Sequence, residues 1–318
     1  MKIGFRKLTV ILIILLSALF LIFVLETGER RNSILKSWLY ENSITEELLV
    51  ATVAITPNKE PEITREKITE LILEIKKTHP EIDLIVFGEA ILGWYRAETE
   101  AYHQKIAENI PGITTGLISR LANENNIYIS FGMVERVDTK IFNSQILIDN
   151  NGKIKHVQRK KNLRSDFFSP GQEPISFVDI NGIRTGVVIC YDMRWSETIN
   201  LAQDNNADLI ILSNADYIDE WDDVYFGYKY LAKQYGAWIV TANRYGNEYE
   251  TNWDGHIEIL SPFGDLEVSG KSDEQYLVHK MRINTEQSKG KKLVRKLYSK
   301  LSAGYLIVKH PKIALSYL

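Results

Sequence analysis

The chain has 318 residues, 45% of them hydrophobic, and its 38 Lys and Arg against 41 Asp and Glu leave a formal charge of -3. That length and apolar content fit one large globular domain or two ordinary ones and exclude a disordered chain. The near balance of charge argues against nucleic acid as a general partner, and a single cysteine excludes an intrachain disulfide.

The first element is a membrane signal. Residues Leu8 to Leu25, LTVILIILLSALFLIFVL, are apolar except for Thr9 and Ser17 and follow Lys2, Arg6 and Lys7. A helix rising about 1.5 Å per residue would cover roughly 27 Å there, close to a hydrocarbon core and longer than the apolar region of most cleaved signal peptides. No small-x-small cleavage site follows, so residues 1–31 are expected to form an uncleaved, single-pass anchor. Arg30, Arg31 and Lys36 nearly balance the cations that precede it. The favoured orientation nevertheless puts the folded part outside the cytoplasm.

From residue 48 short apolar runs alternate with amphipathic helices. LLVATVAI (48–55) reads as a strand, and in ITREKITELILEIKKTHP the residues Ile68, Leu71, Ile72 and Ile75 share one helical face before Pro80. DLIVFGEA is the next strand, TTGLISRLANENN a helix, and IYISFGMVERV a strand. A hairpin follows in IFNSQILIDNNGKIKHVQRKKNL, around Asn150-Asn151-Gly152, and a second pairs ISFVDI with IRTGVVIC around Asn181-Gly182. A helix over 197–206, the strand DLIILS, a helix in VYFGYKYLAKQYG and the strand AWIVTA come next. HIEILSPFGDLEVSG and EQYLVHKM read as two last strands. Alternation of this kind predicts an α/β protein, and the Gly turns predict antiparallel pairs within otherwise parallel sheets. With no linker or repeat between, residues 48–285 read as one domain, followed by a tail over 286–318 that is basic and lacks acidic residues after Glu286. Leu293, Leu297 and Leu301 recur every fourth residue among its lysines, which suits an anionic membrane surface or a dimer partner equally.

The sequence has no G-x-S-x-G elbow, phosphate-binding loop, H-E-x-x-H pair or C-x-x-C, and its six histidines are scattered, so no metal or cofactor is expected. What stands out is a set of polar residues at the ends of apolar runs. Glu89 follows DLIVFG, Cys190 follows RTGVVI, Asn214 follows DLIILS, and Lys160 or Lys161 ends QRKK. The carboxyl ends of strands are where α/β sheets place their sites. A carboxylate after four apolar residues is costly unless partnered, which marks Glu89 for perturbed ionisation. Taken singly, each also reads as ordinary: a buried thiol, a helix cap, a solvated lysine pair. Trp94, Tyr95, Trp195, Tyr217 and Trp221 lie near the same strand ends and suit either a pocket lining or plain core.

Together these segments resemble the nitrilase superfamily of carbon-nitrogen hydrolases over most of residues 48–283. LIVFGEA looks like the family strand that ends in a catalytic Glu, which carries that role to Glu89. QRKKNL is similar to the family's Tyr-Arg-Lys-x-His-Leu and carries the Lys role to Lys160 rather than Lys161. GVVICYDMRWSE is close to Gly-x-x-x-Cys-Tyr-Asp-x-Arg-Phe-x-Glu and carries the nucleophile to Cys190. SNAD and TANRYG also look like family segments, the latter typical of amidase branches. The resemblance implies a four-layer α-β-β-α sandwich with mixed sheets, a homodimer, and hydrolysis of a small non-peptide amide through a cysteine thioester. It implies too that Tyr191, Trp195 and Asn214 contact the substrate or its oxyanion.

Three positions depart from the pattern. Asn162 stands where many relatives have His, Trp195 and Ser196 replace the usual Phe and Pro, and the loop after Lys160 is short. Family members commonly use a second Glu in that loop. Asp166 is expected to take its place as the acceptor that holds Lys160, with Glu173 the lesser candidate. An alternative is an N-acyltransferase that passes the same thioester to an amine, as the resemblance to the membrane-bound apolipoprotein N-acyltransferases suggests. A catalytically dead interaction module is disfavoured because all three catalytic types are present.

Overall fold

The computed structural model describes residues 46–96, 99–163, 165–216, 221–270 and 276–285, together with Leu16, Ser17 and Leu297. Apart from those three positions, the expected anchor and the basic tail lie outside the described residues. Among the described residues no helix is long and apolar enough to cross a membrane.

Strand β1 (Glu46–Ile55) is the hub of the molecule. It pairs in parallel with β2 (Leu84–Val86) and antiparallel with the last strand, β13 (Tyr276–Ile283). Beyond β2 come β3 (Tyr128–Val137), β4 (Lys140–Ile148) and β5 (Ile154–Arg159), which complete the first half-sheet. The second half-sheet is β9 (Trp238–Glu248), β8 (Leu209–Ser213), β7 (Ile183–Ile189) and β6 (Phe177–Ile180). β10 (Thr251–Asp254) and β11 (Ile257–Leu260) pair with β9, and β12 (Leu266–Gly270) pairs with β11. The halves join through Ala54 and Ile55 of β1, which lie beside Asn243 and Arg244 of β9.

Period-two alternation along the strands builds the expected four layers. Ala51, Val53 and Ile55 of β1 and Ile85 of β2 pack outward on helix α1 (Pro61–Thr78), through Ile68, Ile72 and Ile75, and on α3 (Ile113–Asn125), through Ile118 and Leu121. The alternate residues Leu48, Val50, Leu84 and Val86 turn inward against Ile183, Val187, Leu209, Ile211 and Val240 of the second sheet. On the far side Val188, Ile210 and Leu212 pack on α5 (Trp221–Tyr235), through Tyr228, Leu231 and Tyr235, and on Ala202 of α4 (Ser196–Asp204). Both faces of each central strand are therefore buried, which is why these strands read as unbroken apolar runs rather than as alternating ones. Each fully buried Ile or Leu contributes about 1.5–3 kcal/mol.

The expected elements appear close to their predicted places, and the tight turn at Asn181-Gly182 has φ of 50° and 83°, as a two-residue hairpin requires. The pattern did not reveal α2 (Glu100–Ile106), the short β10, or the 3₁₀ turn Cys190–Arg194, and it read the antiparallel pair β11 and β12 as one strand. Each is too brief to establish a period.

Close backbone approach sets where β2 ends. The Gly132 N–H donates to the Gly88 carbonyl at 3.1 Å, and a Cβ at Gly132 would lie 2.4 Å from the Ala90 nitrogen. Gly116 in α3 has open space around it. Gly132→Ala is expected to destabilise by about 1–3 kcal/mol, and Gly116→Ala to stabilise by about 0.5–1 kcal/mol. Thermal unfolding of the two variants checks the opposite signs.

Candidate active site

Five strand ends converge at one edge of the two sheets. Glu89 lies just past β2, where its N–H donates to the Asn214 carbonyl of the opposite sheet at 3.2 Å. Lys160 follows β5, and its N–H donates to the Asn143 carbonyl at 2.9 Å. Cys190 follows β7, Ala215 and Asp216 follow β8, and Trp253 comes from β10. Between them is a cavity of about 360 Å³, lined by these residues together with Tyr95, Phe168, Tyr191, Met193 and Arg194 and with Arg96, Asp166 and others.

Glu89 is fully buried and Lys160 is 3% exposed. The Lys160 ammonium donates to Glu89 Oε1 at 2.6 Å, Asn143 Nδ2 donates to the same oxygen at 2.6 Å, and the Tyr95 hydroxyl does so at 3.0 Å. Glu89 Oε2 accepts no hydrogen bond. One oxygen is thus saturated by three donors while the other, equally buried, has no hydrogen-bond partner. Burial pushes the Glu89 carboxyl up, but the ammonium and the neutral donors outweigh it and hold the acid below its ordinary 4.5. Burial pushes Lys160 down, and Glu89 more than restores it, so the ammonium stays charged well above its ordinary value. The pair is ionised throughout the neutral range. Burial raises the Cys190 thiol to about 12, opposed in part by Lys160 and aided by Glu89. In this resting site the thiol is therefore protonated and needs a base.

Two strained residues present the chemistry. Ala90 and Cys190 have φ of 47° and 45°, a left-handed conformation that costs a residue with a Cβ about 1–3 kcal/mol. The buried Arg244 of β9 holds the first: its Nη1 donates to the Glu89 and Ala90 carbonyls, and its Nη2 donates to the Gly93 carbonyl at 2.7 Å and to Glu248. Glu248 Oε2 accepts the Tyr95 N–H at 2.8 Å, so the same pair also fixes Tyr95. Asp192 braces the second by accepting the Lys161 and Asn162 N–H groups at 3.0 and 2.8 Å and Asn162 Nδ2 at 2.7 Å. This accounts for Asn162, whose amide locks the Lys160 segment to the Cys190 turn.

Of the residues expected from sequence, Glu89, Lys160, Cys190 and Tyr191 come together around the cavity. Lys161 pairs at the surface with Glu197 at 3.2 Å. Three expectations are revised. Asp166 is exposed at the cavity wall, and the acceptor of Lys160 is Glu89 in its place, because the short loop leaves the acid on the solvent side. Trp195 is 49% exposed and outside the cavity lining, because it follows the 3₁₀ turn at the start of α4 and its side chain turns to solvent. Asn214 is buried behind the site, donating to the Tyr228 hydroxyl at 2.6 Å rather than reaching the cavity. Glu173 acts on Arg159, not on Lys160. Tyr217 and the side chain of Trp221 lie outside the described residues. Asn143, Asp192, Asp216 and Arg244 went unrecognised. Asp192, Asp216 and Arg244 carried a signal, as members of the quoted CYDMR, SNAD and TANRYG segments, and Asn143 carried none.

Residues 49–276 match the carbon-nitrogen hydrolase family, and the chain belongs to it. A nitrilase of Pyrococcus abyssi is 29% identical over 254 residues, covering 74% of this chain and 93% of that protein. The fold is similar to that of Saccharomyces cerevisiae Nit3, a member of branch 10 of the nitrilase superfamily, with a TM-score of 0.68 and 21% identity over 74% of this chain and 90% of the other. It is also similar to a mutant of the amidase from Nesterenkonia sp. AN1 that shows Michael addition of acrylamide at its active-site cysteine. That likeness has a TM-score of 0.64 and 16% identity over 73% of this chain and 92% of the other.

Cys190→Ala, Glu89→Gln and Lys160→Ala are each expected to lower turnover about a thousandfold or more, since groups acting as a unit are not additive. Lys161→Ala keeps its backbone N–H on Asp192 and should change turnover little. Arg244→Lys cannot serve four acceptors at once and is expected to lower kcat more than it raises KM. Steady-state kinetics on a hydrolysed amide read all five variants.

Proposed function

We propose that this enzyme hydrolyses the carbon-nitrogen bond of a small non-peptide amide through a thioester on Cys190. The observation that carries this reading is the division of labour on Glu89: Oε1 saturated by Lys160, Asn143 and Tyr95, Oε2 without a hydrogen-bond partner, and a neutral thiol sharing the cavity. Glu89 takes the thiol proton as Cys190 attacks the carbonyl carbon. The Lys160 ammonium and the Tyr191 backbone N–H stabilise the oxyanion, and a cation already held charged needs no reorganisation to do so. Glu89 then returns the proton to the departing amine. A water deprotonated by the same carboxylate attacks the thioester, releasing the acid and restoring the thiol. The adduct at the active-site cysteine of the Nesterenkonia amidase supports the choice of nucleophile.

The apolar run over residues 8–25 supports a second part of the proposal: the domain works at a membrane, tethered by its N-terminal segment, with the catalytic part outside the cytoplasm. A homodimer is the assembly proposed from the family resemblance.

Acid-quenched mixtures of enzyme and amide are expected to carry the acyl mass on Cys190 by peptide mass spectrometry. In isotope-labelled water the product acid should gain one labelled oxygen. Acyl transfer to an added amine in place of water would instead establish the N-acyltransferase alternative. Full-length protein is expected to stay with membranes through a high-salt wash, and its recovery in the soluble fraction would remove the anchor.

A further inference from the structure

Asp216 has no part in the chemistry described so far, yet it lines the same cavity. Its backbone is fixed on both sides, the N–H donating to Asn243 Oδ1 at 3.1 Å and the carbonyl accepting from the Asp254 N–H at 2.9 Å. The Tyr228 hydroxyl donates to Oδ2, while Oδ1 takes no hydrogen bond and stays accessible. No Lys or Arg among the described residues forms an ion pair with this carboxylate. Arg194 acts on it from a greater distance and lies over the Tyr191 ring, 5.3 Å from its centroid. The preceding residue, Ala215, directs its N–H at the Cys190 sulfur, so Asp216 is an immediate neighbour of the nucleophile.

An acid in that place is unfavourable for the free enzyme. Its charge opposes formation of the thiolate and repels Glu89. A cation brought in by the substrate removes both penalties at once, and it gains a charge-assisted hydrogen bond in a half-closed site.

Resting on the amidase reading above, we propose that Asp216 is the specificity-determining residue of the cavity, and that the amide cleaved here carries a protonated amine a few bonds from the scissile carbonyl, its ammonium paired with Asp216. Uncharged amides of the same shape leave the acid unpaired and are poorer substrates. Burial pushes Asp216 up to about 6. Tyr228 and Arg194 face it from α5 and the 3₁₀ turn and oppose the rise, and Glu89 and Asp254 face it from the strand ends and add to it; Glu258 of β11, itself raised to about 8 by burial and in part by Asp216, is neutral where Asp216 titrates. The preference for cationic amides therefore grows as pH rises through about 6, where the carboxylate becomes charged while the substrate amine remains protonated.

The test compares pairs of equal shape on the full-length protein in detergent: β-alaninamide with butanamide, γ-aminobutyramide with pentanamide, and δ-aminovaleramide with hexanamide. At least one amino member is expected to exceed its isostere in kcat/KM by about 10- to 100-fold. Asp216→Asn, which keeps the shape and an acceptor for Tyr228, should bring that ratio close to one and abolish its rise with pH. Equal ratios in the wild type, or an unchanged preference in Asp216→Asn, overturn the proposal. Calorimetric binding to Cys190→Ala separates this from the reaction itself. If no amide acylates Cys190, the amidase reading fails, yet tighter binding of an amino member that is lost when Asp216→Asn is added still supports the cation site. Equal binding, or none by any member, overturns it.

Discussion

The interaction on which the rest depends is the buried ion pair of Glu89 and Lys160, closed at 2.6 Å with both side chains nearly inaccessible. Taking two charges out of water costs several kcal/mol per ion, and mutual attraction repays it only when the remaining lone pairs and protons are placed well. Here Asn143 and Tyr95 complete the shell of one carboxylate oxygen. The arrangement does more than offset desolvation. By concentrating all three donors on Oε1 it leaves Oε2 of a carboxylate held below its ordinary pKa with no hydrogen bond to accept, deep in the cavity wall. In the proposed mechanism such a carboxylate is a base prepared before any substrate arrives.

Holding such a pair demands a rigid frame, and the two half-sheets supply it. Their junction at β1 and β9 brings Asn243 and Arg244 of one sheet beside the β2 end of the other. Arg244 then clamps the carbonyls around the strained Ala90, while Asp192 ties the Lys160 segment to the strained Cys190. Backbone strain of about 1–3 kcal/mol per residue persists at these two positions because neighbours on other strands over-determine them. The close glycine contacts between Gly88 and Gly132 serve the same end, letting the β2 terminus sink to the depth where Lys160 can reach it.

The cavity's electrostatics are uneven. Lys160 favours negative charge at Cys190, whereas burial, Glu89 and Asp216 all oppose it, and the opposing side prevails in the empty site. The thiol of the empty site therefore stays protonated, and the proposed mechanism relies on a proton acceptor rather than on a preformed thiolate. Under the proposed cation pairing, Asp216 is the element of that balance that a substrate changes.

Much of the architecture was legible in the chain. Apolar strands such as DLIIL and VVI, the helical stripe of Ile68, Ile72 and Ile75, and the Asn-Gly turn at 181–182 follow from periodicity and turn geometry, which are local properties. So does the rule that polar residues ending such strands face a common edge, which pointed to Glu89, Cys190 and one of Lys160 and Lys161, the family resemblance choosing Lys160. The supporting set was not legible. Asn143 lies 54 positions from Glu89, and Arg244 lies 155 from it, and neither spacing leaves a trace in any local window. Asp166 and Trp195 are close in sequence to Lys160 and Cys190, yet Asp166 sits at the exposed cavity wall and Trp195 turns away from the cavity, because a loop or turn decides the direction of a side chain after the strand ends. The sequence by itself determined the strands and helices and the residue types that the chemistry needs. Only the tertiary structure decided which oxygen of Glu89 is free, which acid meets Lys160 and which one lies beside the Cys190 thiol, because hydrogen bonding and desolvation are set by neighbours in space.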